Sequence, residues 1–245
     1  MKRQGYQPRT YRSMCHGQKM VNFNVVIGES DLLIRADRDL YSEAHKILSS
    51  LRHDFKSYID SDKSFLTSLE PLFVPATAPE IVKIMAKAGK EFGVGPMAAV
   101  AGAIAEKVAC DLTSYSQNVI VENGGDIYMF GKQPITSAIY AGDSPLSMKL
   151  GIAIEPSPGG VSICTSSGTV GHSLSFGNAD SVSVICDNGS MADAAATAIC
   201  NIVKSDKDLE QAVDFARKFK QIIGLVIIIK EKIAVFGERI KLVYI

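Results

Sequence analysis

The chain carries no net charge: its 245 residues hold 26 Lys and Arg against 26 Asp and Glu. A basic footprint for nucleic acid spread over the whole protein is therefore absent. Cysteine is sparse and unordered. The five residues stand at 15, 110, 164, 186 and 200 with no C-x-x-C pair, which excludes a disulfide framework and a zinc knuckle and makes a reduced cytoplasm the expected location. No stretch approaches the roughly 18 uninterrupted apolar residues of a membrane span. The densest apolar runs, 97–105 and 222–229, are short and interrupted by glycine. The basic N-terminal arm, residues 1–19 with Lys2, Arg3, Arg9, Arg12 and Lys19, is followed by no apolar core of a secretory signal. A nucleic-acid contact by this arm is the weaker reading; a solvated or sheet-edge tail is the stronger.

With 47% hydrophobic and 21% charged residues, the remainder has the composition of an ordinary folded domain. A chain of this size buries roughly 70–75% of its unfolded surface and needs no staple. Apolar residues alternate through 20–36, predicting a hairpin turned at 28–31. The period changes to three and four over 39–58, where Leu40, Ala44, Ile47, Leu48, Leu51 and Phe55 predict a helix. Further helices are expected at 80–92 and 96–111, the latter rich in Ala and Gly and so suited to close packing. Strands follow at 119–122, 127–130, 137–140, 148–154, 161–165 and 181–186, then helices at 191–203 and 209–219. A hairpin of 225–229 with 233–236 and a segment 240–245 close the chain. Grouped rather than alternating elements predict an α+β fold over 20–245, with mixed or antiparallel sheets packed against helices. The apolar 225–229 run must lie inside the sheet or be covered by a second subunit, so a homodimer is one expectation.

Chemistry concentrates in the second half. Between Thr113 and Val203 stand two basic residues, Lys132 and Lys149, against seven acids, together with eleven of the 20 glycines. An anionic ligand bound there would rely on backbone N–H groups and a cation; a β-rich lobe with tight turns accounts for the glycines equally well.

Gly93-Val94-Gly95-Pro96-Met97-Ala98 fits a dinucleotide fingerprint on paper, but the residues before it are helically spaced. Gly93 is expected to end one helix and Pro96 to begin the next. Asn123-Gly124-Gly125-Asp126 reads first as a hairpin turn; as chemistry, Gly124 and Gly125 would let a ligand approach the backbone and Asp126 could accept hydrogen bonds. Thr165-Ser166-Ser167-Gly168, followed by His172, is a hydroxyl-rich loop without the G-x-S-x-G elbow of a serine hydrolase. A lone loop histidine is usually satisfied by water. In Asn188-Gly189-Ser190-Met191-Ala192-Asp193-Ala194-Ala195-Ala196-Thr197-Ala198, Ser190 is the expected helix cap and Asp193 stands where its capping-box partner belongs. Asp193 and Thr197 share one helix face, about 6 Å apart along the axis, and could hold a hard cation such as Mg²⁺. The plain alternative has Asp193 favouring the helix dipole and Thr197 bonding back to the carbonyl of residue 193.

In this order, Asn123-Gly124-Gly125-Asp126, Thr165-Ser166-Ser167-Gly168 and Ala192-Asp193-Ala194-Ala195-Ala196-Thr197-Ala198 resemble the ApbE superfamily, whose characterised members are FAD:protein FMN transferases. The chain is most similar to the uncharacterised prokaryotic branch of that superfamily, which has been associated with sulphur assimilation. The resemblance implies a T-fold-like α+β arrangement with the ligand between its lobes. It implies Mg²⁺ held by Asp193 and Thr197, and FAD or a related nucleotide against Gly124, Gly125, Asp126, Ser166, Ser167 and Gly168. His172 is the counterpart of the family's histidine and the expected acid/base. Transferases continue the Ser-Gly loop with an aromatic, an arginine and a His-x-x-Asp-Pro-x-Thr-Gly element. Here Ser167-Gly168 runs into Thr169-Val170-Gly171-His172-Ser173, and the arginine and Asp-Pro-x-Thr-Gly are missing. The expected activities are FMN transfer or FAD hydrolysis. The alternative is a non-catalytic ligand-binding or accessory protein.

Overall fold

A computed structural model describes residues 20–132, 134–155, 157, 159–170, 175–237 and 239–245. Eleven strands and six α-helices are formed by them. The predicted first hairpin is β1 (Val21–Ile27) with β2 (Ser30–Ala36), turned at Gly28, whose φ is +57°. Helices α1 (Tyr41–Ser61), α2 (Ser64–Thr67), α3 (Glu80–Phe92) and α4 (Val100–Leu112) follow. Strands β3 (Val119–Asn123), β4 (Asp126–Phe130), β5 (Ile135–Ala138), β6 (Leu150–Ile154), β7 (Val161–Ser166) and β8 (Ser181–Cys186) come next. Helices α5 (Gly189–Ile202) and α6 (Leu209–Ala216) lead to β9 (Ile222–Ile229), β10 (Lys232–Phe236) and β11 (Ile240–Tyr244).

Eight strands make one sheet in the order β1-β2-β3-β4-β7-β8-β9-β10, and β11-β6-β5 make a second; all the pairings are antiparallel. The large sheet is covered on both faces. Val182, Val184 and Cys186 of β8 join the helices in one core, while Ile185 joins β6 residues Leu150, Ile152 and Ile154 in another. The two-residue period of a strand sorts β9 in the same way, with Leu225, Ile227 and Ile229 towards the helices and Val226 and Ile228 towards the small sheet. Double coverage explains why β8 and β9 read as nearly continuous apolar runs. It also settles the 225–229 segment: β9 lies between β8 and β10, so no second subunit is needed to cover it.

Two local expectations are corrected, and a third is borne out. The helix foreseen at 96–111 is divided into a 3-10 turn, Pro96–Ala99, and α4, because Ala99 leaves the helical region, with φ −117° and ψ 3°. The strand foreseen at 137–140 forms two residues earlier, as β5, in register with β6. The 123–126 hairpin turn forms as read, with Gly124 and Gly125 at its centre (φ +68° and +105°) and Asn123 paired with Asp126. Gly93 does end α3, with φ +70°, and Pro96 does open the next turn. Among the described residues no single helix is long and apolar enough to cross a membrane.

Candidate functional site

Helix α5 is buried almost all round: Ala192, Ala194, Ala195, Ala196 and Ile199 have no exposure. Small side chains allow β7, β8, α3 and α4 to approach it together. The closest approach is to α4. A Cβ on Gly102 would run into the carbonyl of Gly189, and one on Gly189 into the carbonyl of Gly102. The Ala/Gly content of α4 therefore serves the close packing expected of it.

This contact delivers Asp193 to the start of α4. Its Oδ2 accepts from the Gly102 N–H at 2.9 Å, and the Ala101 amide also helps to hold it. The helix cap belongs to Asn188 rather than to the expected Ser190: Asn188 Oδ1 accepts from Met191 N at 3.0 Å and from Ser190 Oγ at 2.7 Å. Asp193 is thus no capping-box partner of its own helix. Its Oδ2 is held instead by a helix 91 residues earlier in the chain. Thr197, one turn on, has its Oγ1 3.1 Å from Ser166 Oγ at the end of β7, so the pairing across to β7 replaces the back-bond considered above.

Asp126 enters from the other side. The glycine turn places it at the first position of β4, where its Oδ1 accepts from Thr165 N at 2.9 Å. Asn123 Nδ2 donates to Ala101 O at 3.2 Å and ties the turn to α4. Glu122 Oε1 accepts from Gly125 N at 2.7 Å. Asp126, Asp193 and Cys164 thus lie within electrostatic reach of one another beside the first amides of α4, and the Ser166–Thr197 hydroxyl pair stands one turn along α5 from Asp193.

Electrostatics there run against ionisation. Burial pushes the Asp126 carboxyl up to about 7, with the Glu122 charge adding to it and the Thr165 amide opposing. Burial and then the charge of Asp126 raise Asp193, against the Gly102 and Ala101 amides. Asp193 keeps some exposure as a residue, although its carboxyl is poorly solvated. The Cys164 thiol is held neutral by burial and by both aspartates. Among the described residues no Lys or Arg forms an ion pair with Asp126 or Asp193.

The remaining expected site residues are less convergent. Gly124 and Gly125 lie at the turn beside Asp126, and a Cβ on Gly125 would meet open space. Ser167 Oγ accepts from Thr169 N at 3.1 Å and Val170 N at 2.9 Å, shaping its own loop. Gly168 closes the loop's neck: its N–H donates to Ala179 O at 2.9 Å, and a Cβ there would strike Gly177 O. His172 lies outside the described residues. Sequence reasoning did not single out Gly102 or Glu106, and it read Asn123 only as part of a turn. The available signal was a glycine and an acid four residues apart on the Ala-rich α4.

Comparison with known proteins agrees with this framework. A UPF0280 protein of Methanocaldococcus jannaschii is 39% identical over 225 residues, covering 89% of this chain and 91% of its own. A UPF0280 protein of Methanopyrus kandleri is 44% identical over 202 residues, covering 82% and 81%. Among solved structures, the apo flavinyl transferase ApbE of Pseudomonas stutzeri superposes with a TM-score of 0.54 at 15% identity, covering 89% of this chain and 94% of that one. The ApbE protein of Thermotoga maritima superposes with a TM-score of 0.51 at 14% identity, covering 88% and 96%. These structures share the fold. The model of the ApbE family described as "AbpE bacteria" matches residues 12–233, and the chain belongs to that family.

Proposed function

We propose that this protein binds a flavin nucleotide, FAD or a related diphosphate, together with Mg²⁺, and splits the diphosphate by transferring FMN to an acceptor hydroxyl or to water. The observation that carries the reading is the mutual proximity of Asp126 and Asp193, two poorly solvated carboxyls without a basic partner among the described residues, with Thr197 one helical turn from Asp193 and paired to the Ser166 hydroxyl. Buried carboxylates without compensation are costly, and a divalent cation is the compensation that an all-oxygen site accepts. Among the described residues no three His, Cys, Asp or Glu side chains cluster as a metal site, so the protein would supply only carboxylate and hydroxyl oxygens, the hard donors that Mg²⁺ takes. Such a site leaves positions for water and phosphate oxygens, as Mg²⁺ prefers. The name of the Pseudomonas stutzeri neighbour, a flavinyl transferase, favours a flavin over other diphosphates.

In this reading Asp193 and Thr197 hold the cation from one turn of α5, and the Gly102 amide fixes the Asp193 carboxylate. Bound there, Mg²⁺ supplies charge neutralisation and polarisation of the diphosphate. The Gly124-Gly125 turn admits the nucleotide close to the backbone, and Asp126 stands beside it as a hydrogen-bonding group. Ser166, Ser167 and Gly168 line the nucleotide at the end of β7. His172 serves as the acid/base that exchanges a proton with the reacting oxygens.

Calorimetry with FAD tests the binding, and mass spectrometry tests the reaction. Binding is expected with Mg²⁺ and not without it, to be abolished by Asp193→Ala, and to be followed by release of AMP. A protein that takes up no flavin nucleotide with Mg²⁺ refutes the proposal. A second reading, a binding or accessory protein without turnover, is favoured by the missing arginine and Asp-Pro-x-Thr-Gly after Gly168. Binding without AMP would select it.

A further inference from the structure

The α4–α5 contact has two rungs, each joining residues four apart on both helices. Gly102 N–H meets Asp193 on one, and Glu106 meets Gly189 on the other. Glu106 Oε2 accepts from Gly189 N at 2.8 Å, and its Oε1 accepts from Asn188 Nδ2 at 2.9 Å. The second of these fixes which way the Asn188 amide faces. With Nδ2 turned to Glu106, Oδ1 must face the Met191 amide and so caps α5. Every polar group at this corner is thereby matched donor to acceptor. At this glycine–glycine crossing the side chains of Asp193 and Glu106 lie directly against the facing glycines, so the two polar rungs are placed to fix the axial register of the helices.

We propose that Glu106 is a positioning residue which, by clamping Asn188 and Gly189 to α4, sets the height at which α5 presents Asp193 and Thr197. The inference deepens the proposed function, since it rests on the metal-binding reading of that couple. Supporting residues of this kind, one step removed from the ligands, govern metal affinity because they fix ligand orientation.

The donor–acceptor pattern supplies a test that general destabilisation would not mimic. Glu106→Gln keeps size and shape but puts an NH₂ group against the Asn188 NH₂. If Asn188 flips to relieve this, its own NH₂ faces the Met191 N–H and the cap is lost. Adding Asn188→Asp restores the match: the new carboxylate accepts from the glutamine on one oxygen and from Met191 N on the other, while the glutamine carbonyl accepts from Gly189 N.

Two readouts are taken on wild type, both single variants and the double variant: Mn²⁺ affinity by electron paramagnetic resonance, and amide hydrogen exchange along α5 in metal-free protein. Glu106→Gln is expected to weaken Mn²⁺ binding about tenfold or more and to speed exchange at residues 192–197. The double variant is expected to return to within about threefold of wild type in both. A Glu106→Gln protein with wild-type affinity and protection overturns the proposal, as does a double variant no better than the single. If wild type takes up no Mn²⁺ but exchange follows the swap, the clamp is supported and the metal reading of Asp193 and Thr197 falls.

Discussion

The Gly102 N–H donates to Asp193 Oδ2 at 2.9 Å, joining the first turn of one helix to the first turns of another across a crossing where neither backbone has room for a Cβ. The geometry makes a glycine part of the electrostatics of a carboxylate. Gly102→Ala would drive the helices apart and loosen that bond. The expected cost is about 1–3 kcal/mol of stability, read by denaturant unfolding, together with weaker divalent-cation binding. Gly125→Ala is the contrasting case: it meets open space but requires φ +105°, so about 1–2 kcal/mol should be lost with the α4–α5 contact intact.

Metal-free protein should lose stability as pH rises. The Asp126 carboxyl is raised from 3.8 to about 7, so the folded state retains a proton that the unfolded chain releases. Its stabilisation is complete below pH 4 and is lost as pH climbs through about 7, and the raised Asp193 acts in the same direction. Thermal melts between pH 4.5 and 8 in chelator should show the midpoint falling. Saturating Mg²⁺ should flatten the curve by favouring the charged carboxylates. A midpoint rising through this window would contradict the assigned burial.

Asp193→Asn separates the fold from the site. The amide oxygen still accepts from Gly102 N, while the charge that faces Asp126 disappears. The metal-free variant should melt at or above the wild-type temperature at pH 8. Wild type should gain about 2.7 kcal/mol from Mg²⁺ at a hundred times its dissociation constant, and the variant almost none. Equal gains in both proteins would remove Asp193 from the metal site.

Much of this architecture was legible in the residues. Glu80–Phe92 was read to the residue because its apolar face recurs at three and four and Gly93 supplies a left-handed stop. Asp126, Ser166, Asp193 and Thr197 were picked out by motif; the fold pairs the Ser166 and Thr197 hydroxyls and brings the two aspartates within electrostatic reach of each other. What escaped were partners set by contacts far apart in sequence. A local capping rule assigned Asp193 to its own helix, whereas Gly102 and Ala101 claim it. Ser190 had the composition of a cap, but Glu106, 82 residues earlier, orients Asn188 for that role. The break at Ala99 escaped because no turn residue marks it in the sequence. Periodicity reports which face of an element is apolar; it does not report which neighbour will supply the missing hydrogen bond.

The paired hydroxyls of Ser166 and Thr197 test how much of the site is alcohol rather than carboxylate. Thr197→Val keeps the shape and removes the oxygen, leaving Ser166 Oγ buried without its 3.1 Å partner. Stability should fall by about 1–3 kcal/mol, the cost of a buried unsatisfied group. Mn²⁺ affinity should fall as well, whereas Ser166→Ala should lower the affinity less, because Thr197 remains. A Thr197→Val protein that binds Mn²⁺ as tightly as wild type would leave the threonine a packing role alone.

The assignment of acid/base work to His172 is checked by separating binding from turnover. In His172→Gln, FAD affinity in the presence of Mg²⁺ should be unchanged, while AMP release slows by about 10²–10⁴-fold, the usual worth of a positioned acid or base. A variant that cleaves as fast as wild type would pass the role to Asp126. Its carboxyl, pushed up to about 7 by burial, already has the proton affinity suited to exchange near neutral pH. In that event Asp126→Asn would abolish AMP release, and the loss of activity in wild type on acidification would follow the protonation of Asp126 rather than of an imidazole.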